Sequence, residues 1–344
     1  MTATTPVFDG HNDALTARGH PRLASGRRGG HLDLPRMRAA GMQGGIFAVF
    51  TPSSSEPRRL PGPPGAPASF TPSPPVTQRR AAGFSTAAAG RLLALERAGE
   101  LRVARAIADI DRARAGGPPA AVLHLEGAEA IDPALESLDT WYAAGLRSLG
   151  LVWSRPNAFG HGVPFAAPSS PDTGPGLSEA GLALVRRCAE LGILVDLSHL
   201  NEAGFWDVAR LDRGPLVASH SGAHALCGCS RNLTDAQLDA IAGSGGLVGI
   251  VFACFFLRAD FAEDPDTPLA RIVDHARYIA DRVGVEHVAL GSDFDGALIP
   301  RELGDVTGLP RLLAALADGG FSGPEIEAIA WHNWRRALAA WWSA

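Results

Sequence analysis

Apolar residues along this chain gather into eight short runs, at 6–9, 45–50, 120–125, 146–153, 193–197, 216–219, 247–253 and 287–291. Several are continuous rather than alternating, as in Leu146-Arg147-Ser148-Leu149-Gly150-Leu151-Val152-Trp153 or Leu247-Val248-Gly249-Ile250-Val251-Phe252-Ala253. Strands buried on both faces of a parallel sheet read this way. Between them lie stretches with helical spacing, at 78–98, 133–144, 178–191, 202–210, 234–242 and 268–283. Two begin with capping chemistry, Ser178 ahead of Gly181-Leu182 and Thr234 three residues before Gln237. Strand and helix alternating eight times predict a (β/α)8 barrel, an α/β fold. Residues 309–316 and 324–342 read as a helical tail, the latter ending in aromatics that would pack on the barrel or on a second subunit.

Two segments break the pattern. Residues 51–76 are dense in Pro, Ser and Gly and exclude a regular element. They follow the second strand and should lie over the C-terminal mouth of the barrel, as a loose insertion or as a lid or subunit contact. Residues 155–175 follow the fourth strand and should flank the same mouth. No linker divides the 344 residues, so residues 1–344 are read as a single barrel domain.

Composition narrows the function. With 46% hydrophobic and 19% charged residues the chain suits a soluble protein with a large core. No apolar run reaches the length of a membrane span, and the N-terminus lacks the features of a secretion signal. A cytoplasmic protein is the expectation. The net charge of −5 without a basic stripe argues against nucleic acid. Cys188, Cys227, Cys229 and Cys254 read as ordinary thiols, since no second pair completes a structural zinc site. There is no lysine at all, which excludes a Schiff-base lysine, a P-loop lysine and a carbamylated-lysine metal bridge.

Barrel active sites form where strands end, and five of these strand ends carry metal-ligand chemistry. The first gives His11 and Asp13, two residues apart and so on one side of an extended strand. The third gives Glu126, the fifth His199, the sixth His220 and the eighth Asp293. Each alone would read as a polar group capping a strand. Together, three histidines and three carboxylates make a ligand set for two divalent cations ~3.5–4 Å apart. Nitrogen and carboxylate donors without sulfur suit Zn²⁺, with Mn²⁺ or Co²⁺ also compatible.

The motifs Phe8-Asp9-Gly10-His11-Asn12-Asp13, Leu125-Glu126-Gly127, Asp196-Leu197-Ser198-His199-Leu200, Ala218-Ser219-His220-Ser221, Ser230-Arg231-Asn232-Leu233 and Gly291-Ser292-Asp293-Phe294-Asp295-Gly296 resemble those of the membrane (renal) dipeptidase family, peptidase family M19 of the amidohydrolase superfamily. They run in the family's order over nearly the whole chain. The resemblance implies a binuclear zinc dipeptidase. It implies that His11 and Asp13 bind the first ion, that Glu126 bridges both, and that His199 and His220 bind the second. Arg231 would then pair with the substrate's terminal carboxylate, and Asp293 would transfer the proton. The substrate it implies is a small dipeptide, D-residues being tolerated at the C-terminal position, and the assembly it implies is a homodimer.

One departure stands out. Renal-type members carry Thr-His after the fourth strand, the histidine contacting the reacting carbonyl. This chain reads Val152-Trp153 there, so Trp153 is expected in the substrate pocket. His124 and His161 are the residues that could replace the lost donor; His224 is expected at most behind the ligands, and Asp295 is expected to shape the loop after strand eight. The departure keeps open a second substrate class, another small amide, lactone or N-acyl amino acid. A non-catalytic barrel would require missing ligands, and none of the six positions is missing.

Overall fold

The computed structural model describes residues 5–55, 58–60 and 68–342. Eight strands run in chain order around a barrel. They are β1 (Val7–Asn12), β2 (Met42–Phe50), β3 (Ala120–Glu126), β4 (Leu146–Gly150), β5 (Leu194–Asp196), β6 (Val217–Ser221), β7 (Leu247–Ile250) and β8 (Val288–Leu290). Each pairs in parallel with the next, and helices pack outside. The helix Ala270–Val283 is typical: it buries Ile272, Val273, His275, Ala276 and Ile279, a stripe at three- and four-residue spacing that faces the core. The capping chemistry read at Ser178 and Thr234 is present, each side chain accepting from the backbone N–H three residues on.

The last seam is closed without a regular ladder. Asp293 N donates to His11 O at 3.0 Å and Asp13 N to Phe294 O at 2.8 Å. Between them the buried Asp9 carboxylate accepts from Ser292 N and Ser292 Oγ at 2.8 and 2.9 Å. On the outer side, Trp334 Nε1 donates to Leu290 O at 2.8 Å and Asn333 Nδ2 donates to Val288 O at 2.8 Å. Side chains thus satisfy the polar edge of β8 that a ladder would otherwise satisfy. The barrel is also pinched. β6 bulges at its register shift against β7, and a β-carbon on Gly249 or Gly291 would fall 1.9 Å from Ser219 O. Only glycine lets β7 and β8 pass this bulge.

Several boundaries differ from the sequence reading. β1 runs to Asn12, so His11 lies inside the strand rather than beyond it. β4 stops at Gly150 and β7 at Ile250. The apolar residues that follow are buried in turns and in the short helix Cys254–Leu257, because burial by itself does not distinguish a strand from a packed turn. Helices Leu34–Ala39 and Ile107–Arg114 fill two connections where none was expected. The former announces itself only by Asp33, whose carboxylate caps Arg36 N, and by an early proline. The tail is helical as expected, but a wide turn at Ala328–His332 interrupts it. Trp331 in this turn meets Phe8 edge-on and Trp334 just beyond it packs at a tilt, at centroid distances of 5.8 and 5.9 Å.

The loops after β2 and β4 meet over the C-terminal mouth. Ala68–Ser69 pairs antiparallel with Ala166–Ala167, and Phe70 N donates to Phe165 O at 3.2 Å. The Pro-rich segment is therefore clasped to its neighbour where it is described; residues 56–57 and 61–67 lie outside the described residues.

Candidate metal centre and substrate cavity

Six of the side chains singled out from sequence converge at the mouth. Glu126 Oε1 lies 3.0 Å from His199 Nε2, 3.6 Å from His220 Nε2 and 3.7 Å from His11 Nε2. His199 and His220 turn their Nε2 atoms toward each other at 3.0 Å. His11 Nε2 lies 3.7 Å from Asp13 Oδ2, and His11, Asp13 and Asp293 bring one donor atom each within 4.8 Å of one another. All six are almost wholly withdrawn from solvent except Asp293, which is half-buried. His199 and Asp293 adopt left-handed backbone, φ 69° and 58°, a conformation costly for residues with side chains and tolerated where the surroundings impose it.

The three histidines are supported differently. His220 Nδ1 faces Ser219 Oγ at 2.8 Å, and that hydroxyl donates in turn to Asp196 Oδ2. Asp196 Oδ1 accepts from Ser198 N and Ser219 N at 3.0 and 2.8 Å. With the hydroxyl proton committed to the carboxylate, Ser219 accepts from His220 Nδ1–H, which leaves the Nε2 lone pair facing Glu126. His199 Nδ1 is likewise 2.8 Å from Ser154 Oγ. His11 has neither ring nitrogen hydrogen-bonded, and Asp13 Oδ1 is also without a partner.

Electrostatics shows what this cluster lacks. Burial, reinforced by Arg231 and His11, holds His199 well below the usual imidazole range, and His220 is held low by burial with His11 and Arg231. Burial, with His11 opposing and Asp13 and Asp293 adding, lifts Glu126 well above the usual carboxylate range. For His11 burial acts downward, but the Glu126 and Asp13 carboxylates outweigh it and hold the ring up to about 10. Carboxylates that bind a proton so firmly on His11 would hold a cation in the same place. Orphaned nitrogens, facing lone pairs and a shared carboxylate all fit divalent metal bound by nitrogen and oxygen.

Above the cluster opens a cavity of about 500 Å³, a size suited to a small molecule. Six aromatic rings line it, those of Phe50, Phe70, Trp153, Phe165, Phe255 and Phe256, together with Asp13, Glu126, His199 and Asp293. Trp153 lies in the cavity wall as expected, 4.7 Å from Phe50 and 5.5 Å from His199 between ring centroids. Arg231 is not in that wall. It is buried behind His220, donating to His220 O at 3.0 Å, with Nε free of partners and Phe256 against its guanidinium.

Neither stand-in for the missing donor reaches the cavity wall. His124 points inward, as its strand parity required, but lies beneath His11 with Nδ1 on Ser148 Oγ at 2.8 Å. His161 sits in its loop outside the lining residues. His224 bonds Ser169 O rather than any ligand. Asp295 shapes its loop as expected, accepting from His31 N at 2.6 Å and pairing with Arg27. Sequence reasoning missed Asp196, Ser219 and Ser154. For Ser219 and Ser154 the only trace is a serine beside a histidine or tryptophan, too common a pairing to stand out. Asp196 leaves a slightly better one, a carboxylate inside an apolar strand.

Comparison with known proteins agrees with this geometry. The family model described as membrane dipeptidase (peptidase family M19) matches residues 1–341. A crystal structure of the dipeptidase AC, a metallopeptidase of family M19, is 46% identical with a TM-score of 0.92, over 99% of this chain and 100% of that one. A metallopeptidase from Rhodobacter sphaeroides, solved with a phosphinate mimic of the dipeptide L-Ala-D-Ala, is 44% identical with a TM-score of 0.92 and the same coverage. A protein of the pqqA 5′ region of Klebsiella pneumoniae is 50% identical over 245 residues, 71% of this chain and 90% of the relative. Among the described residues no helix is long and apolar enough to cross a membrane. Barrel, ligand cluster and full-length family match lead to one conclusion: this chain belongs to the membrane dipeptidase family, peptidase family M19, and is a metal-dependent hydrolase.

Proposed function

We propose that the protein hydrolyses the peptide bond of small dipeptides, those with a C-terminal D-residue included, with two divalent cations held around Glu126. His11 and Asp13 would hold one and His199 and His220 the other, with the Glu126 carboxylate available to both. Zinc is the first choice for this donor set, with manganese or cobalt as substitutes. Such a pair supplies Lewis acidity, which makes an attacking water nucleophilic near neutral pH and polarises the amide carbonyl. The observation that carries the reading is one carboxylate oxygen within 3.0–3.7 Å of three histidine nitrogens.

The chain's own groups supply the rest. Burial, opposed by His11 and reinforced by Asp13, pushes the Asp293 carboxyl up to about 7. That value belongs to the metal-free cluster; cations bound beside Asp293 would favour its carboxylate form, which would accept the proton of the attacking water and return it to the leaving amine. Family resemblance assigns the substrate's terminal carboxylate to Arg231, whose Nε is uncommitted although it lies behind His220 rather than in the cavity wall. The aromatic wall excludes water from the scissile bond, and Trp153 stands where renal-type relatives place a carbonyl-contacting histidine. That replacement supports a second reading, hydrolysis of an N-acyl amino acid or another small amide. A panel of L,L and L,D dipeptides alongside N-acyl amino acids, assayed with zinc and then with chelator, decides between them. Chelator-sensitive cleavage of dipeptides is expected; turnover of N-acyl amino acids alone would transfer the assignment to the second reading.

A further inference from the structure

The carboxylates around the cavity are not equivalent. Asp13, Glu126 and Asp293 belong to the ligand cluster, and Asp295 is neutralised by Arg27 and by His31 N. Glu263 also lines the cavity, at its solvent-exposed rim. Among the described residues it has no hydrogen-bond or ion-pair partner. Its loop, which follows the helix Cys254–Leu257, contains one arginine, Arg258, and that is taken by Asp260 and Asp264 at 2.5 and 3.5 Å. No arginine lines the cavity, and the chain has no lysine. Glu263 is therefore an uncompensated negative charge facing a box of six aromatic rings, two of which, Phe255 and Phe256, precede it in the chain by a few residues.

A carboxylate beside aromatic faces favours a cationic group on an extended apolar arm. The rings cover the methylenes and attract the charge through their faces, and the carboxylate closes the ion pair at the cavity rim. We propose that Glu263 is a specificity-determining residue, which selects substrates carrying a guanidinium or ammonium on a side chain and disfavours those carrying a side-chain carboxylate. This inference rests on the dipeptidase reading. A free N-terminal ammonium offers the same charge, but every unblocked dipeptide has one, so a side-chain panel separates the two sources.

The test uses zinc-loaded enzyme and dipeptides matched in length, with arginine or lysine, norleucine or glutamine, and glutamate placed in turn at each position. For at least one position, the cationic side chain should raise kcat/KM about two- to fivefold over norleucine, the scale of one solvent-exposed charge pair. Glu263→Gln should bring that ratio close to one, and Glu263→Arg should invert it in favour of glutamate. Asp266→Asn, on the same loop but outside the cavity wall and paired with Arg301 rather than Arg258, should leave the ratio as it is. Binding of non-hydrolysable phosphinate dipeptides with arginine or norleucine side chains should show the same order, independently of turnover. Equal kcat/KM for cationic, neutral and acidic side chains would overturn the inference while leaving the dipeptidase reading standing. Failure to cleave any dipeptide would instead remove the reading beneath it. A preference that survives Glu263→Gln would show that another group is responsible and would equally overturn it.

Discussion

The two halves of the ligand cluster are built on opposite principles. On the His199 and His220 side each imidazole has its remote nitrogen on a serine hydroxyl, and Ser219 is itself tied to Asp196. On the His11 and Asp13 side neither ring nitrogen is held, and one carboxylate oxygen has no partner. The first half is pre-organised by the protein; the second has its donors in place but gets its order from whatever charge it binds. The difference teaches that a ligand set can be symmetric in composition and asymmetric in support. It predicts that the supported half takes the first cation.

The largest effect should come from the group both halves share. Glu126→Gln should lower kcat/KM with a dipeptide by more than about 10²-fold, beyond what losing an outer-shell partner costs, and should weaken binding of both cations in a metal titration. Loss of only one cation would show the halves to be independent. The unsupported half is best attacked through Gly296, where a β-carbon would fall 2.2 Å from Asp293 Oδ1 and 2.3 Å from Asp13 Oδ2. Gly296→Ala should reduce metal content toward about one equivalent per chain by elemental analysis, since only one site of the pair is disturbed. Retention of two would contradict the asymmetry.

The supported half should respond to its serines. Ser219→Ala and Ser154→Ala should each weaken the first-bound cation by about 10–100-fold in competition with a chelating dye. An unchanged affinity would show that the hydroxyls do not orient the rings. The smallest effect concerns the anchor of the loop after β6, where His275 Nδ1 accepts from Ala223 N at 2.9 Å. Burial holds His275 down to about 4 from its usual 6.5, so the unfolded chain binds the proton more readily. Its contribution to stability is complete above pH 6.5 and is lost as pH falls toward 4, amounting to about 1 kcal/mol at one unit below 6.5. In denaturant melts of metal-free protein, His275→Gln should flatten that part of the pH profile; the same slope in both proteins would place its origin elsewhere.

The same asymmetry governs how much of the molecule was legible in its sequence. The candidate ligands could be read because His11, Glu126, His199, His220 and Asp293 follow apolar runs directly, and a barrel turns that position into a shared rim. The supporting groups could not, since Asp196 and Ser154 act through partners 23 and 45 residues away, on other parts of the barrel rim. Apolar runs overestimated strand length at β4 and β7, where packed turns continue the core. The seam between β8 and β1 was invisible for a related reason: it depends on Asp9, Asn333 and Trp334, side chains standing in for a ladder that no local pattern encodes. Arg231 was singled out by motif alone, and the fold sets it behind His220 rather than in the cavity wall.

The central claim is that two cations share Glu126. Anomalous diffraction from crystals of zinc-reconstituted protein, recorded at the zinc absorption edge, tests it most directly. The account predicts two peaks, one between His11 and Asp13 and one between His199 and His220, both within bonding distance of the Glu126 carboxylate. A single peak, or peaks that leave Glu126 unbound, would contradict it.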